Sequence, residues 1–178
     1  MCVTPLIQAV LGELSEQAKK IDDTELKPLM NLILASDRLF LAGAGRSGIM
    51  ISAFANRLVH LGLNASLINE ITKPKANPGD LLIIGSGSGE TGSLITYATK
   101  AKQLGVNIAL ITTNSSSTLA NLAQCVVCLP AGTISFSQPM GSTFEQLSLL
   151  TYDSVVLALM NQLNQSSSMM QSRHANIE

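Results

Sequence analysis

Residues 38–48 read RLFLAGAGRSG, and residues 81–91 read LLIIGSGSGET. Each stretch is a short aliphatic run that breaks into glycines and hydroxyl residues. Runs of four or five apolar residues bounded by turn residues are strands covered on both faces. A helix-period pattern follows each break. Strand, glycine-rich turn and helix make an α/β unit, with the turn at the carboxyl end of its strand. Open parallel sheets bind their ligands at that end.

The flanking chain repeats the unit. Further strands are expected at Asn64–Asn69, Val106–Thr112 and Cys125–Leu129, beside Arg38–Ala42 and Leu81–Gly85. Helices are expected from the first glycine loop to Leu61, from Thr91 to Leu104, over Ser115–Ala123 and over Ser142–Leu163. Two helices precede the first strand. Pro5–Lys19 carries the stripe Leu6, Ile7, Val10, Leu11, Leu14 and Ala18, and Thr24–Ala35 starts with Asp22 and Glu25 spaced as a capping box. Lys73–Asp80 and Gly132–Gly141 read as loops. The tail from Asn164 is polar, Ser/Gln-rich and expected to be flexible. The expectation is a single doubly wound α/β domain over residues 1–178, flavodoxin-like, with a five-stranded parallel sheet flanked by helices. Within it, 1–36 is a leading helical pair, 37–163 the α/β core and 164–178 a tail.

Composition narrows the function. Of 178 residues, 46% are hydrophobic and 13% charged, and 11 Lys+Arg against 12 Asp+Glu leave a net charge of -1. Such a chain is not disordered and has no bulk positive charge for nucleic acid. Two Tyr, four Phe and no Trp leave little for base stacking. No apolar run approaches the ~18 residues of a membrane span, and the first twenty residues lack a signal-peptide core. No membrane partner is expected, and a cytoplasmic location is. Cys125 and Cys128 form a C-x-x-C within an apolar strand, where residues three apart face opposite ways. Neither a redox pair nor a metal site follows from them.

The first loop, Gly43-x-Gly45-x-x-Gly48, matches the dinucleotide fingerprint, and Glu70 stands where a ribose-binding acid is expected. The chain has no room for a separate catalytic domain, however. A dinucleotide also has no use for Ser86, Ser88 and Thr91 in the second loop. Two glycine-rich helix starts side by side suit a phosphate monoester better, since unsatisfied N–H groups and the helix dipole favour an anion. Ser47, Ser86, Ser88 and Thr91 add hydroxyl donors. Ordinary N-capping accounts for one of these hydroxyls but not for three at 86, 88 and 91.

The segments Gly43–Gly48, Ala53–Gly62, Gly79–Thr91, Gly141-Ser142-x-Phe144-Glu145-Gln146 and the terminal Arg173-His174-Ala175-Asn176-Ile177-Glu178 span most of the chain. With them the chain resembles the sugar isomerase (SIS) domain family and, within it, the 6-phospho-3-hexuloisomerases. Departures occur at Asn56, where members carry Met, and at Ile71–Pro74, where they carry a Thr-rich turn. The resemblance implies an isomerase without metal or other cofactor that interconverts 3-hexulose 6-phosphate and fructose 6-phosphate in formaldehyde fixation. Its substrate is a phosphorylated ketohexose, and a homotetramer is implied. The resemblance gives Ser47, Ser86, Ser88 and Thr91 to the phosphate, and Gly45, Arg46 and Gly89 are counted with them as substrate- or phosphate-binding positions. Glu145 would transfer the proton, and His60 would assist.

The chemistry of these roles can be stated separately. Moving a carbonyl between C3 and C2 passes through an enediol, and one sheltered carboxylate facing both carbons can serve both proton transfers. Ser142-x-x-Glu145 is equally a capping box. Arg46 is open between a phosphate or enediolate contact and a solvated charge. His60 lies 13 residues beyond Ser47 on one helix, about 20 Å away at ~1.5 Å per residue. A catalytic His60 would therefore act on a neighbouring subunit's site, and an obligate oligomer is expected. Two readings stay open: a non-catalytic sugar-phosphate-binding module, and an isomerase of another sugar phosphate.

Overall fold

The computed structural model describes residues 2–131 and 138–177. Part of the expected Gly132–Gly141 loop, residues 132–137, lies outside the described residues, as does Glu178. The elements in order are α1 (Thr4–Ala18), α2 (Asp23–Ala35), β1 (Leu39–Gly43), α3 (Gly45–His60), β2 (Ala65–Leu67), β3 (Leu81–Gly85) and α4 (Gly92–Gln103). They continue with β4 (Asn107–Thr112), α5 (Thr118–Leu122), β5 (Cys125–Cys128), α6 (Ser142–Gln162) and α7 (Ser167–Gln171).

The five strands form one sheet in the order β2-β1-β3-β4-β5, and every pair is parallel. The period of two along each strand divides the core. Leu39, Leu41, Leu81, Ile83, Ala109 and Ile111 face the side packed by α1, α2, α3 and α6. Phe40, Ala42, Leu82, Ile84, Ile108 and Leu110 face the side of α4 and α5. Both sides are fully covered, so these strands are aliphatic throughout rather than alternating. The leading helices join the same core: Leu29 and Ile33 of α2 are completely buried. Cys125 is buried on the α2 side, while Cys128 is part-exposed, as the strand reading requires. Burial and the nearby Glu25 carboxylate push the Cys125 thiol up to about 11, well away from a reactive thiolate.

Two local expectations are corrected. Asp22 does cap α2, accepting from Thr24 N at 2.8 Å, but Glu25 does not complete a capping box. Its carboxylate accepts from the Cys128 backbone N–H at 2.6 Å and ties α2 to β5. The tail is not featureless either. Ser166 caps α7 through Met169 N, Met170 is buried, and the Arg173 guanidinium donates to the His60 carbonyl at 2.9 Å. These contacts dock the chain end on the C-terminus of α3.

Candidate active site

Strand order reverses between β1 and β3, and a cavity of about 390 Å³ lies at their carboxyl ends. Ser47, Ser86, Ser88 and Thr91 all line it, as sequence reasoning expected. Three helices open onto it. Their N-caps are Ala44 for α3, Thr91 for α4 and Gly141 for α6, and all three residues line the cavity. None of these helices is capped by a side chain. By contrast α2, α5 and α7 are capped by Asp22, Ser117 and Ser166. First turns without side-chain caps present backbone N–H groups and the positive end of each helix dipole, a setting for an anion; in α6 the first of them, Ser142 N, donates to the Pro139 carbonyl at 3.0 Å.

The serines are not helix caps. Ser86 Oγ accepts from Gly89 N, and Ser88 Oγ accepts from Glu90 N, each at 3.2 Å within the loop. The Ser88 hydroxyl keeps its own proton to donate, and Ser86 Oγ also lies 3.4 Å from Thr91 Oγ1. The loop is held from behind by the turn after β4. The Gly87 carbonyl accepts from the Thr112 hydroxyl, the Thr113 hydroxyl and Thr113 N, at 3.0, 2.9 and 3.0 Å. Leu119 N donates to the Gly89 carbonyl at 3.1 Å, and Thr118 N to the Glu90 carboxylate at 2.7 Å. The hydrogen bonding from Thr118 holds the Glu90 carboxyl below its ordinary range. Gly89 sits at φ +67° beside Ser117, where a Cβ would overlap the Ser117 side chain. It shapes the loop and does not line the cavity. Thr112, Thr113 and Glu90 are supporting residues that sequence reasoning did not assign. The hydroxyl-rich run Thr112–Thr118 was their only signal.

Glu145 is buried at the start of α6, and its carboxylate pairs with Arg46 Nε on α3. The capping-box alternative is not realised: Gly141 at φ +87° is the N-cap, and Glu145 N bonds the Gly141 carbonyl at 3.0 Å. The carboxylate lies over Gly141, 3.5 Å from where a Cβ would stand there. Arg46 and Glu145 each adjoin a cavity residue, Ser47 and Phe144. The Arg46 side chain stays 63% exposed, so its other N–H groups face outward from the pair.

Two further expected site residues, Gly45 and His60, line other hollows. Gly45 opens α3 on a different hollow, shared with Gly43 and Gly48. There the fingerprint glycines serve packing. A Cβ on Gly43 would stand 2.8 Å from Gly48 Cα, and a Cβ on Gly48 2.9 Å from the Gly43 carbonyl oxygen. Glu70 is exposed beyond β2. His60 ends α3, some 15 residues and about 22 Å of helix from its start. It lines a separate cavity of about 530 Å³ with Arg57, Asp153 and His174, and its ring lies 5.1 Å from that of His174. Burial, followed by the His174 and Arg57 charges, holds His60 below the ordinary imidazole range. Among the described residues no three His, Cys, Asp or Glu side chains converge as a metal site. No helix among them is long and apolar enough to cross a membrane.

A parallel 2-1-3-4-5 sheet with hydroxyls and three helix starts at its switch point defines a doubly wound α/β domain whose strand-end cavity is suited to an anion. Residues 32–158 match the SIS domain model, and the chain belongs to that family. It is 44% identical to 3-hexulose-6-phosphate isomerase of Bacillus subtilis (strain 168), over the full length of both chains. It is 36% identical to the protein of that name from Mycobacterium gastri, covering 99% of this chain and 92% of the other. Among solved structures it superposes with a TM-score of 0.88 on a Methanococcus jannaschii protein at 33% identity, covering 98% and 99% of the two chains. For that protein, the crystal structure was taken to infer a 3-hexulose-6-phosphate isomerase function.

Proposed function

We propose that the chain is a sugar-phosphate isomerase that interconverts 3-hexulose 6-phosphate and fructose 6-phosphate. The observation that carries the phosphate half is the convergence of three uncapped helix N-termini with Ser47, Ser86, Ser88 and Thr91 on one cavity. Full-length identity to the Bacillus subtilis isomerase supports the choice of sugar. A cavity of about 390 Å³ is within the range of small-molecule sites.

In this reading the phosphate seats against the Ser86–Thr91 loop, and the carbon chain runs toward Glu145. The carboxylate takes the proton from C3 of fructose 6-phosphate, and electrons move into the C2 carbonyl to give the 2,3-enediol. The same proton, or one from water, returns at C2 as the C3 hydroxyl becomes the carbonyl. Arg46 fixes the carboxylate through Nε and offers its remaining donors to the oxygen that gains charge.

His60 supplies the proton shuttle between the oxygens from a neighbouring subunit, since its own cavity shares no residue with the serine cavity. Exposed Ile49, Leu150 and Leu157 on α3 and α6 give that neighbour an apolar surface to cover. A homotetramer in the cytoplasm completes the reading. The test is direct. Fructose 6-phosphate incubated with the protein should show a second ketose phosphate by ³¹P NMR. A protein that binds the sugar phosphate without converting it would be a binding module instead.

A further inference from the structure

The inward face of α1 contains a buried carboxylate that neither phosphate binding nor proton transfer uses. Glu13 is 8% exposed, on the face that buries Leu14 and Gln17. A buried charge on a packing face is costly unless its hydrogen bonds are made. Glu13 Oε1 accepts from the Thr143 hydroxyl, and Oε2 from Gln138 Nε2, both at 3.0 Å. Gln138 and Gln146 exchange two further amide hydrogen bonds, each 3.0 Å. Gln138 also approaches Thr143 Oγ1 at 3.4 Å.

The cluster therefore joins α1 to the first turn of α6, the turn that carries Glu145. At 3.6 residues per turn, Thr143 and Gln146 share one side of the helix and Glu145 lies round from both. That turn begins at a left-handed glycine and lacks a side-chain cap, so α6 by itself does little to hold its own start. Fraying or rotation there would carry Glu145 away from Arg46.

We infer that Glu13 is a positioning residue: through Thr143 and the Gln138–Gln146 pair it fixes the first turn of α6, and with it the Glu145 carboxylate. It touches no substrate in this account, and the inference rests on the isomerase reading above. Glu13 precedes residues 32–158, the part that matches the SIS domain model. The leading helix thus has a task at the site besides packing.

The test uses the full-length chain with Thr143→Val, Thr143→Ser and Glu13→Gln. Thr143→Val is nearly isosteric and removes the donor; Thr143→Ser restores it. We expect Thr143→Val to lower kcat by about ten-fold or more. Its KM should stay within about two-fold, because the phosphate loop is untouched. Thr143→Ser should recover most of the loss, and Glu13→Gln should fall between. A change in melting temperature with kcat unaltered would overturn the inference, as would a serine variant no better than valine. Wild-type turnover tests the isomerase reading separately. If the wild type does not turn over, hydrogen exchange at the Glu145 amide decides: faster exchange in Thr143→Val than in Thr143→Ser supports positioning, and equal exchange overturns it.

Discussion

A carboxylate in the first turn of a helix ordinarily rests among that helix's own N–H groups, a few tenths to about one kcal/mol better off for it. Glu145 instead pairs across the site with Arg46. Sequence spacing left the cap and the catalytic base level, because Ser142-x-x-Glu145 satisfies both patterns. The left-handed Gly141 at the N-cap removes the capping box, and the base is what we propose. Glu145→Gln keeps the shape and removes the base. Its kcat should drop by about 10²- to 10⁴-fold with sugar-phosphate affinity little changed, measured by turnover and calorimetry. His60 carries a prediction for stability. Burial, His174 and Arg57 lower its affinity for a proton in the fold, with Asp153 of α6 lining the same cavity. The unfolded chain then binds the proton more readily, so stability rises with pH across this window. The loss begins as pH falls through the ordinary imidazole value of 6.5 and levels off below the folded value. From pH 7.5 to 5, the wild-type melting temperature should therefore fall more than that of His60→Gln; parallel curves would contradict the assignment.

At the level of elements, the packing of β1 against α3 depends on two glycines in backbone contact. Gly43→Ala would place its Cβ 2.8 Å from Gly48 Cα and 3.0 Å from Gly48 N, neither of which can turn aside. α3 must then move off the sheet, at a cost of about 1–3 kcal/mol or more. Gly12→Ala in the middle of α1 meets nothing within 4 Å and should stabilise by about 0.5–1 kcal/mol. Urea unfolding of the pair measures both signs. All five strands and the helices α1 to α6 were legible in the sequence, because continuous aliphatic runs and helical stripes depend only on neighbours along the chain. α7 was not. Its buried anchor is one methionine in a Ser/Gln-rich stretch, and its docking comes from Arg173 reaching His60 O, 113 residues away. The Glu25–Cys128 bond, 103 residues apart, and the Glu13–Thr143 bond, 130 apart, were illegible for the same reason. Periodicity says which face is buried, but not which distant polar group waits there.

For the whole molecule, the two cavities lie toward opposite ends of α3, and the account joins them across a subunit boundary. That the hydroxyl loops gather on one cavity was legible, because strand-end position and residue type coincide; phosphate binding there is the proposal. The separation of His60 was legible from helix rise alone, whereas its pairing with His174 needed the docked tail. If sites are shared, Glu145→Gln and His60→Ala chains, each inactive, should complement when mixed and reassembled. Hybrid dimers would recover up to about a quarter of wild-type activity, since each has one site with both native groups. No recovery would place both groups in one chain's site. The central claim, proton transfer by Glu145 through an enediol, is tested most directly by NMR of fructose 6-phosphate in deuterated water with EDTA. The account predicts protein-dependent deuterium uptake at C3 with a second ketose phosphate appearing, and neither with Glu145→Gln. Binding of the sugar without exchange, or undiminished exchange in Glu145→Gln, would contradict it.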